Sequence, residues 1–192
     1  MATLVGLFGK FGDADRAIRG LKERGFSRDD ISVLAKKQVM DEYAQGKAGL
    51  EEVAESTAVG ALTGGMAGGL LGILVSVGAI AIPGLGPAVA AGTLASSLGI
   101  TAGGAGLGTA VGGILGAMTR LGVSEDEAHV YAEGIQRGGV FLAVETEPER
   151  VPEVRQVFDQ ANVLDAKALQ QEWRKAGWVA FDEDNPPAGT LG

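Results

Sequence analysis

The chain has 192 residues, a formal net charge of −8 and no cysteine. A net acidic chain without clustered Lys and Arg argues against nucleic acid as a partner, and the lack of cysteine excludes disulfides, thiolate metal sites and cysteine nucleophiles. Hydrophobic residues make up 46% of the sequence, which is ample for a core. The 32 glycines stand far above the usual frequency of about 7%, so part of the fold needs backbone without side chains.

The N-terminal part, residues 1–40, predicts half of a small α/β domain. Residues 3–9 are β-prone, Asp13 is a candidate N-cap, and apolar residues then recur at helical spacing until Gly25 ends the helix. Residues 30–37 predict a half-buried strand, because one set of alternate positions is apolar throughout. That set is Ile31, Val33 and Ala35, and the positions between them hold Ser32, Leu34 and Lys36. Together these segments predict one β-α-β unit.

A second unit is predicted in residues 123–168. Ser124 and Glu127 stand at capping-box spacing and predict a helix that stops at the glycine pair 138–139. A strand at 140–146, a helix at 148–162 and a closing strand at 163–168 follow.

Two β-α-β units combine into the ferredoxin-like β-α-β-β-α-β sandwich, so the predicted fold class is α+β with this sandwich interrupted in its middle. Residues 169–192 form a C-terminal extension, with a short helix predicted at 169–176.

Residues 41–122 form the interruption, and about 64 consecutive residues within it, 56–119, carry no charge. The sequence IPGLGP places a turn at Pro83, Gly84, Gly86 and Pro87. We predict an antiparallel helical hairpin with arms at 57–81 and 88–119. The first arm would be about 37 Å long, enough to cross a hydrocarbon core of roughly 30 Å.

Both predicted arms carry a ridge of glycines at every fourth position. In a solvated helix each glycine costs about 1 kcal/mol relative to alanine, so the ridges make sense as surfaces of close helix packing or oligomerisation. A flexible linker is disfavoured, because Leu, Ile and Val are interleaved with the glycines. The ridge positions are Gly60, Gly64, Gly68 and Gly72 in the first arm and Gly104, Gly108, Gly112 and Gly116 in the second.

Pairing of the two arms would leave their outer faces uncovered. The uncharged tract holds about 21 Val, Ile, Leu and Met residues. Leaving about ten of them in water forgoes some 15–20 kcal/mol, more than the net stability of a typical domain, 5–15 kcal/mol. We therefore expect lipid, another apolar guest or other copies of the chain to cover the tract.

Three parts of the sequence resemble the bacterial general stress protein 17M-like family: the opening VGLFGKFGDADRAIRGLKERGFSRDDISVLAK, the AIPGLGP turn, and the run LGVSEDEAHVYAEGIQRGGVFLAVET. The similarity covers about residues 4–168. It implies stress-associated expression in bacteria and a ferredoxin-like domain interrupted by an apolar hairpin. It implies no catalytic residue and no cofactor, and residues 169–192 extend beyond the family's pattern.

The polar residues and the early glycines are weak candidates for a metal, nucleotide or catalytic site. His129 lies on a predicted surface helix without a second His or Cys to complete a metal site, and the acidic stretch 182–185 lacks the EF-hand pattern. Gly6, Gly9 and Gly12 have the wrong spacing for a dinucleotide loop. No sequence motif of a common enzyme class is present, so we predict a non-catalytic protein without metal or cofactor. Trp173 and Trp178 either pack on the domain, which we favour, or dock a partner subunit.

Three functions compete. In the first, a membrane-associated stress protein inserts its hairpin in the bilayer and self-associates. In the second, a soluble homo-oligomeric shell or filament packs its hairpins together or lines an apolar interior with them. In the third, residues 184–192 are a docking peptide for a larger partner. The N-terminus lacks a signal-peptide pattern, so we expect the cytoplasm or the cytoplasmic face of the inner membrane.

Overall fold

The computed structural model describes residues 1–43, 79–82, 85–93, 113–182, 184, 189 and 191. These residues form a mixed α/β fold, in which a five-stranded antiparallel sheet is covered by helices on both faces.

The first three elements confirm the predicted β-α-β unit: β1 (Ala2–Phe8), α1 (Phe11–Glu23) and β2 (Ile31–Lys36). The predicted N-cap is wrong. Lys10 occupies that position and makes no side-chain capping bond, while Asp13 lies in the first turn of α1. There its negative charge faces the positive end of the helix dipole, a favourable position that does not require the capping geometry.

The end of α1 agrees with the prediction. Gly25 has φ of +83°, a conformation in which a residue with a side chain is strained, and its N–H donates to the Lys22 carbonyl at 2.9 Å.

The next two elements are strands, which contradicts the predicted helical hairpin in this part of the chain. β3 (Ala79–Ile82) and β4 (Gly86–Ala91) pair antiparallel, with Ile82 opposite Gly86. The chain therefore reverses where the IPGLGP sequence predicts, but the residues on either side of the turn are extended. The prediction of helix is wrong for these two segments, because their backbone groups pair within the sheet.

Three elements follow in chain order: α2 (Gly113–Arg120), α3 (Glu125–Gln136) and β5 (Val140–Thr146). The N-cap of α3 is confirmed, since the Ser124 hydroxyl oxygen accepts from the Glu127 N–H. The hydroxyl also donates to the Glu127 carboxylate at 2.6 Å. This pair satisfies one of the N–H groups that the first turn leaves without a helical partner.

The last elements are a 3₁₀ turn (Pro148–Arg150), α4 (Val151–Gln160) and α5 (Ala166–Lys175). The predicted closing strand at 163–168 is reduced to one bridge, in which Leu164 pairs with Leu7 of β1. Asp165 explains why the strand stops. Its carboxylate caps α5 by accepting from the N–H groups of Lys167 and Ala168, so the backbone becomes helical two residues after the bridge.

The order of strands across the sheet is β1-β5-β2-β4-β3. β5 pairs with β1 on one side, where Ala2 lies opposite Thr146, and with β2 on the other, where Ile31 lies opposite Val144. β4 then pairs with the outer side of β2. The bridge at Leu164 lies beyond β1, at the other edge.

The sheet has a separate apolar cluster on each face. One cluster contains α1 and α4, and the other contains α2 and α3 together with Phe181. Successive residues of β1 and β2 alternate between the clusters, as strand geometry requires. The first five residues of β2 are all buried, so the prediction of a half-buried strand is wrong, because helices cover both faces.

Candidate interaction site

The β3–β4 hairpin fixes where the two stretches outside the described residues, 44–78 and 94–112, join the sheet. Ala79 lies opposite Val89, and Ala91 lies opposite Val33 of β2. The start of β3 and the end of β4 therefore lie at the same end of the sheet. Since neighbouring strands are about 4.8 Å apart, the first stretch enters the fold close to the point where the second one leaves it.

The exit from β4 is tightly constrained. Gly92 has φ of +74°, and a Cβ atom there would lie 2.5 Å from the Ile31 carbonyl oxygen. Next to it, the Thr93 hydroxyl donates to the Glu145 carboxylate at 2.6 Å. A glycine is therefore required where the chain turns away from the sheet, and the following residue is held by a hydrogen bond to β5.

The residues that precede the first stretch are held by α1. Residues 37–43 are helical, and the Tyr43 ring packs on Phe11 with 4.4 Å between the ring centroids. The Tyr43 hydroxyl donates to the Asp15 carboxylate at 3.3 Å, and Arg19 forms an ion pair with that carboxylate. The residues just before the two stretches, Tyr43 and Thr93, are thus both held to the fold by side-chain hydrogen bonds.

Most of the predicted packing positions lie outside the described residues: Gly60, Gly64, Gly68, Gly72, Gly104, Gly108 and Gly112, together with Pro83 and Gly84 of the turn. Gly86 and Pro87 lie in β4. Gly116 lies in α2, where it is partly buried, and its neighbours Ile114, Ala117 and Met118 are fully or almost fully buried in the cluster with α3. The end of the predicted second arm is therefore helical, but it belongs to the core of the domain.

The two tryptophans pack against each other and against the domain. The ring of Trp173, in α5, is only 7% exposed and meets Trp178 edge to face, with 5.7 Å between centroids. The Arg137 guanidinium lies over the Trp173 ring at 4.9 Å. This arrangement supports the packing role that the sequence favoured for Trp173.

Arg137 is in turn held by a buried carboxylate. Its Nε and Nη2 both donate to Glu133 Oε1 at 2.8 Å, and the Glu133 side chain is only 3% exposed. Separating the pair would leave a buried carboxylate without a partner, which is costly. The ion pair with Glu133 therefore holds the Arg137 guanidinium in place against the indole ring. Sequence reasoning missed this pair, although Glu133 and Arg137 stand four residues apart on one helix, the spacing of an ion pair.

The polar candidates do not converge on a reaction centre. His129 is partly buried in α3, with no hydrogen-bond partner for Nδ1 among the described residues. Within the same ranges, no three acidic or histidine side chains are grouped in a way that could hold a metal. Asp182 accepts from the Asp184 N–H at 3.0 Å, a local turn. Gly6 serves packing, since a Cβ atom there would lie 2.9 Å from the Phe158 ring.

Among the residues that the structure describes, Tyr131 has a strongly perturbed pKa. Burial raises the pKa of Tyr131 to about 12, and the negative charges of Glu127 and Asp165 act in the same direction. The ring meets Phe141 of β5 edge to face. A phenol that stays neutral within an apolar cluster is a packing residue with no acid–base role at neutral pH.

No protein-family model, curated protein or solved structure matches the chain. None of the helices in the described parts of the chain is both long and apolar enough to cross a bilayer.

Proposed function

We propose that this chain is a non-catalytic, self-associating structural protein, in which a ferredoxin-like sandwich displays two uncharged, glycine-rich segments that pack with those of sister copies. The segments are defined here as residues 57–78 and 94–112. The order of the Leu164 bridge, β1, β5 and β2, with α1 and α4 on one face, supports the sandwich. The resemblance to the general stress protein 17M-like family supports a stress-associated role in bacteria.

The single observation that carries the proposal is the β3–β4 hairpin. It places Ala79, which follows the first glycine-rich segment, and Ala91, two residues before Thr93 and the second segment, towards one end of the sheet. Small residues at every fourth position let apolar backbones approach closely, so segments that start side by side are suited to pack together.

The same hairpin argues against two membrane crossings with a turn at residues 82–87. β4 pairs with β2, so the turn stays at the sheet and cannot lie across a bilayer. Each stretch must then return to the side from which it left. A return needs two crossings of about 20 residues each, whereas residues 44–78 number about 35 and residues 94–112 about 19.

The composition of the segments supplies the driving force for association. Residues 57–78 and 94–112 hold about 14 Val, Ile, Leu and Met side chains. If half of them faced water, the forgone free energy would be about 10–14 kcal/mol, comparable to the whole stability of a domain. Packing between copies removes that cost. A membrane-associated form remains a second candidate, supported by the same apolar composition.

The test is the size of the full chain, purified without detergent, by size exclusion with light scattering. We expect a particle of several copies, reduced in size by Gly64→Leu/Gly68→Leu because the added side chains separate the packed backbones. Thr63→Leu/Ala67→Leu is the control, with the same spacing and the same final side chains one position off the ridge. A monomeric wild type, or equal effects of the two pairs, would refute the proposal. Recovery only in detergent would support the membrane-associated form instead.

A further inference from the structure

The C-terminal end of α3 is a Schellman motif. Gly138 has φ of +95°, and its N–H donates to the Ile135 carbonyl at 2.9 Å. The Gly139 N–H donates to the Gly134 carbonyl, also at 2.9 Å. Two such hydrogen bonds around a left-handed glycine are a common way to end a helix. The motif itself provides no partner for the carbonyls of the last helical residue and the C-cap residue.

Two distant parts of the chain bind these carbonyls. The Lys36 ammonium, at the end of β2, donates to the Gln136 carbonyl at 3.3 Å. The Leu191 N–H, in the C-terminal extension, donates to the Arg137 carbonyl at 3.0 Å. The positive charge of Lys36 also faces the negative end of the helix dipole, which is favourable. The end of α3 is therefore completed by residues that are far apart in the sequence.

Side chains from the same two regions pack on the glycines of this end, and we call residues 136–139 the α3 turn. A Cβ atom at Gly139 would lie 2.7 Å from Leu191 Cδ1, so the missing side chain makes the space that the leucine fills. A Cβ atom at Gly138 would lie 3.7 Å from Val39 Cγ2. Val39 is one of the helical residues that precede the first uncharged stretch. The α3 turn thus contacts both the C-terminal extension and the residues that lead into that stretch.

We propose that Leu191 is a releasable intramolecular clasp, which holds the α3 turn and, through it, the helical residues 37–43. When the clasp opens, the Arg137 carbonyl loses its partner and the space over Gly139 empties, so the turn is held from one side only. The C-terminal extension is thereby coupled to the residues that lead into the first stretch. The inference is separate from the proposed self-association, because all of its contacts lie within one chain.

The clasp is weaker than the contacts earlier in the extension. Leu191 is held by one backbone hydrogen bond and by a side chain that is only partly buried. Trp173 and Phe181, by contrast, are 7% and 6% exposed. Parts of a fold with few buried contacts open at a lower cost than the core. We therefore expect Leu191 to open while Trp173 and Phe181 stay in place. A Leu191 amide as strongly protected from hydrogen exchange as β5 would contradict release.

Hydrogen exchange of the full chain, followed by mass spectrometry at one fixed protein concentration, tests the coupling. Leu191→Ser removes the apolar contact, and residues 37–43 should then exchange at least about fivefold faster, with β5 unchanged. Val179→Ser is the control, on the same extension but 83% exposed, and should change neither segment. Unchanged exchange in residues 37–43 would overturn the proposal. Equal acceleration of residues 37–43 and β5 would overturn it too, because Leu191 would then add only to the general stability.

A second test starts from the other side of the α3 turn, because coupling between two sites is reciprocal. Lys36→Met removes the ammonium that donates to Gln136, and the Leu191 amide should then exchange at least about fivefold faster. Lys37→Met is the matched control, since Lys37 is the next residue and pairs with Asp41 within its own helix. If the two substitutions had equal effects on Leu191, the clasp would not act through the turn and the inference would be wrong.

Discussion

Gly134 lies inside α3, directly against the buried side chain of Leu7. A Cβ atom there would lie 2.3 Å from Leu7 Cδ2, 3.1 Å from Cδ1 and 3.3 Å from Cγ. Leu7 is fully buried, so any movement of its side chain away from an added Cβ atom must be taken up by the buried side chains around it. Gly134→Ala therefore combines two opposite effects, a gain in helix propensity and a steric clash.

The net effect of Gly134→Ala on stability depends on whether Leu7 is present. In a helix interior, alanine is favoured over glycine by about 1 kcal/mol, and overpacking a core costs about 1–3 kcal/mol. We expect Gly134→Ala to destabilise the wild type by about 1 kcal/mol. In a Leu7→Ala background all three clashing atoms are absent, so the same substitution should stabilise the protein by about 1 kcal/mol.

The assay is urea unfolding followed by tryptophan fluorescence, at one fixed protein concentration because association changes the apparent stability. Gly12→Ala in α1 is the control. The nearest atom to its added Cβ is Tyr43 Cε2 at 3.7 Å, an ordinary contact, so we expect no loss of stability. If Gly134→Ala had the same effect in both backgrounds, the close approach of α3 to β1 would not explain the glycine.

Three further predictions concern the helices and the buried ionisable groups. Because the folded-state pKa of Tyr131, about 12, exceeds the ordinary tyrosine value of 10.0, the folded protein binds more protons between these pH values. The free energy of unfolding should therefore fall by about 2–3 kcal/mol from pH 10 to 12, and this step should vanish in Tyr131→Phe, as urea midpoints across the window will show. Arg137→Met leaves the Glu133 carboxylate buried and unpaired, so we expect a loss of about 3–5 kcal/mol in urea unfolding, largely restored by adding Glu133→Leu. Ser124→Ala removes the cap of α3 and should lower the melting temperature in proportion to a loss of about 1 kcal/mol, whereas Ser124→Asp should retain most of the stability.

The elements that the sequence predicted well depend on local signals. Alternation and helical spacing located β1, α1, β5 and α4, and the Ser124–Glu127 spacing located the start of α3. Each signal is contained within about a dozen residues, so no information about distant contacts was required.

β3 and β4 were missed because their conformation depends on pairing with a distant strand. In an uncharged tract of Ala, Ile, Gly and Val, polar residues do not mark the period, so helix and strand cannot be separated by hydrophobic pattern alone. The pairing of Ala91 with Val33 of β2 decides the outcome. The alternation of Ala79 to Ile82 was a weak strand signal that the longer helical pattern obscured.

The contacts at the end of α3 could be predicted only in part. The four-residue spacing of Glu133 and Arg137 indicates an ion pair on a helix. Stacking of Arg137 on Trp173 and docking of Leu191 over Gly139 join residues that are distant in sequence. A single sequence contains no signal for contacts of this kind.

The pairing of β1 with β5 has a consequence for synthesis on the ribosome. Ala2 lies opposite Thr146, so the strand between β1 and β2 in the finished sheet is made only after the whole uncharged tract has emerged. At about 5–20 residues per second, β1 waits on the order of ten seconds for this partner. During that interval the apolar, uncharged tract is exposed to water, because the sheet is not yet complete. Efficient production should therefore depend on chaperones that bind emerging polypeptides.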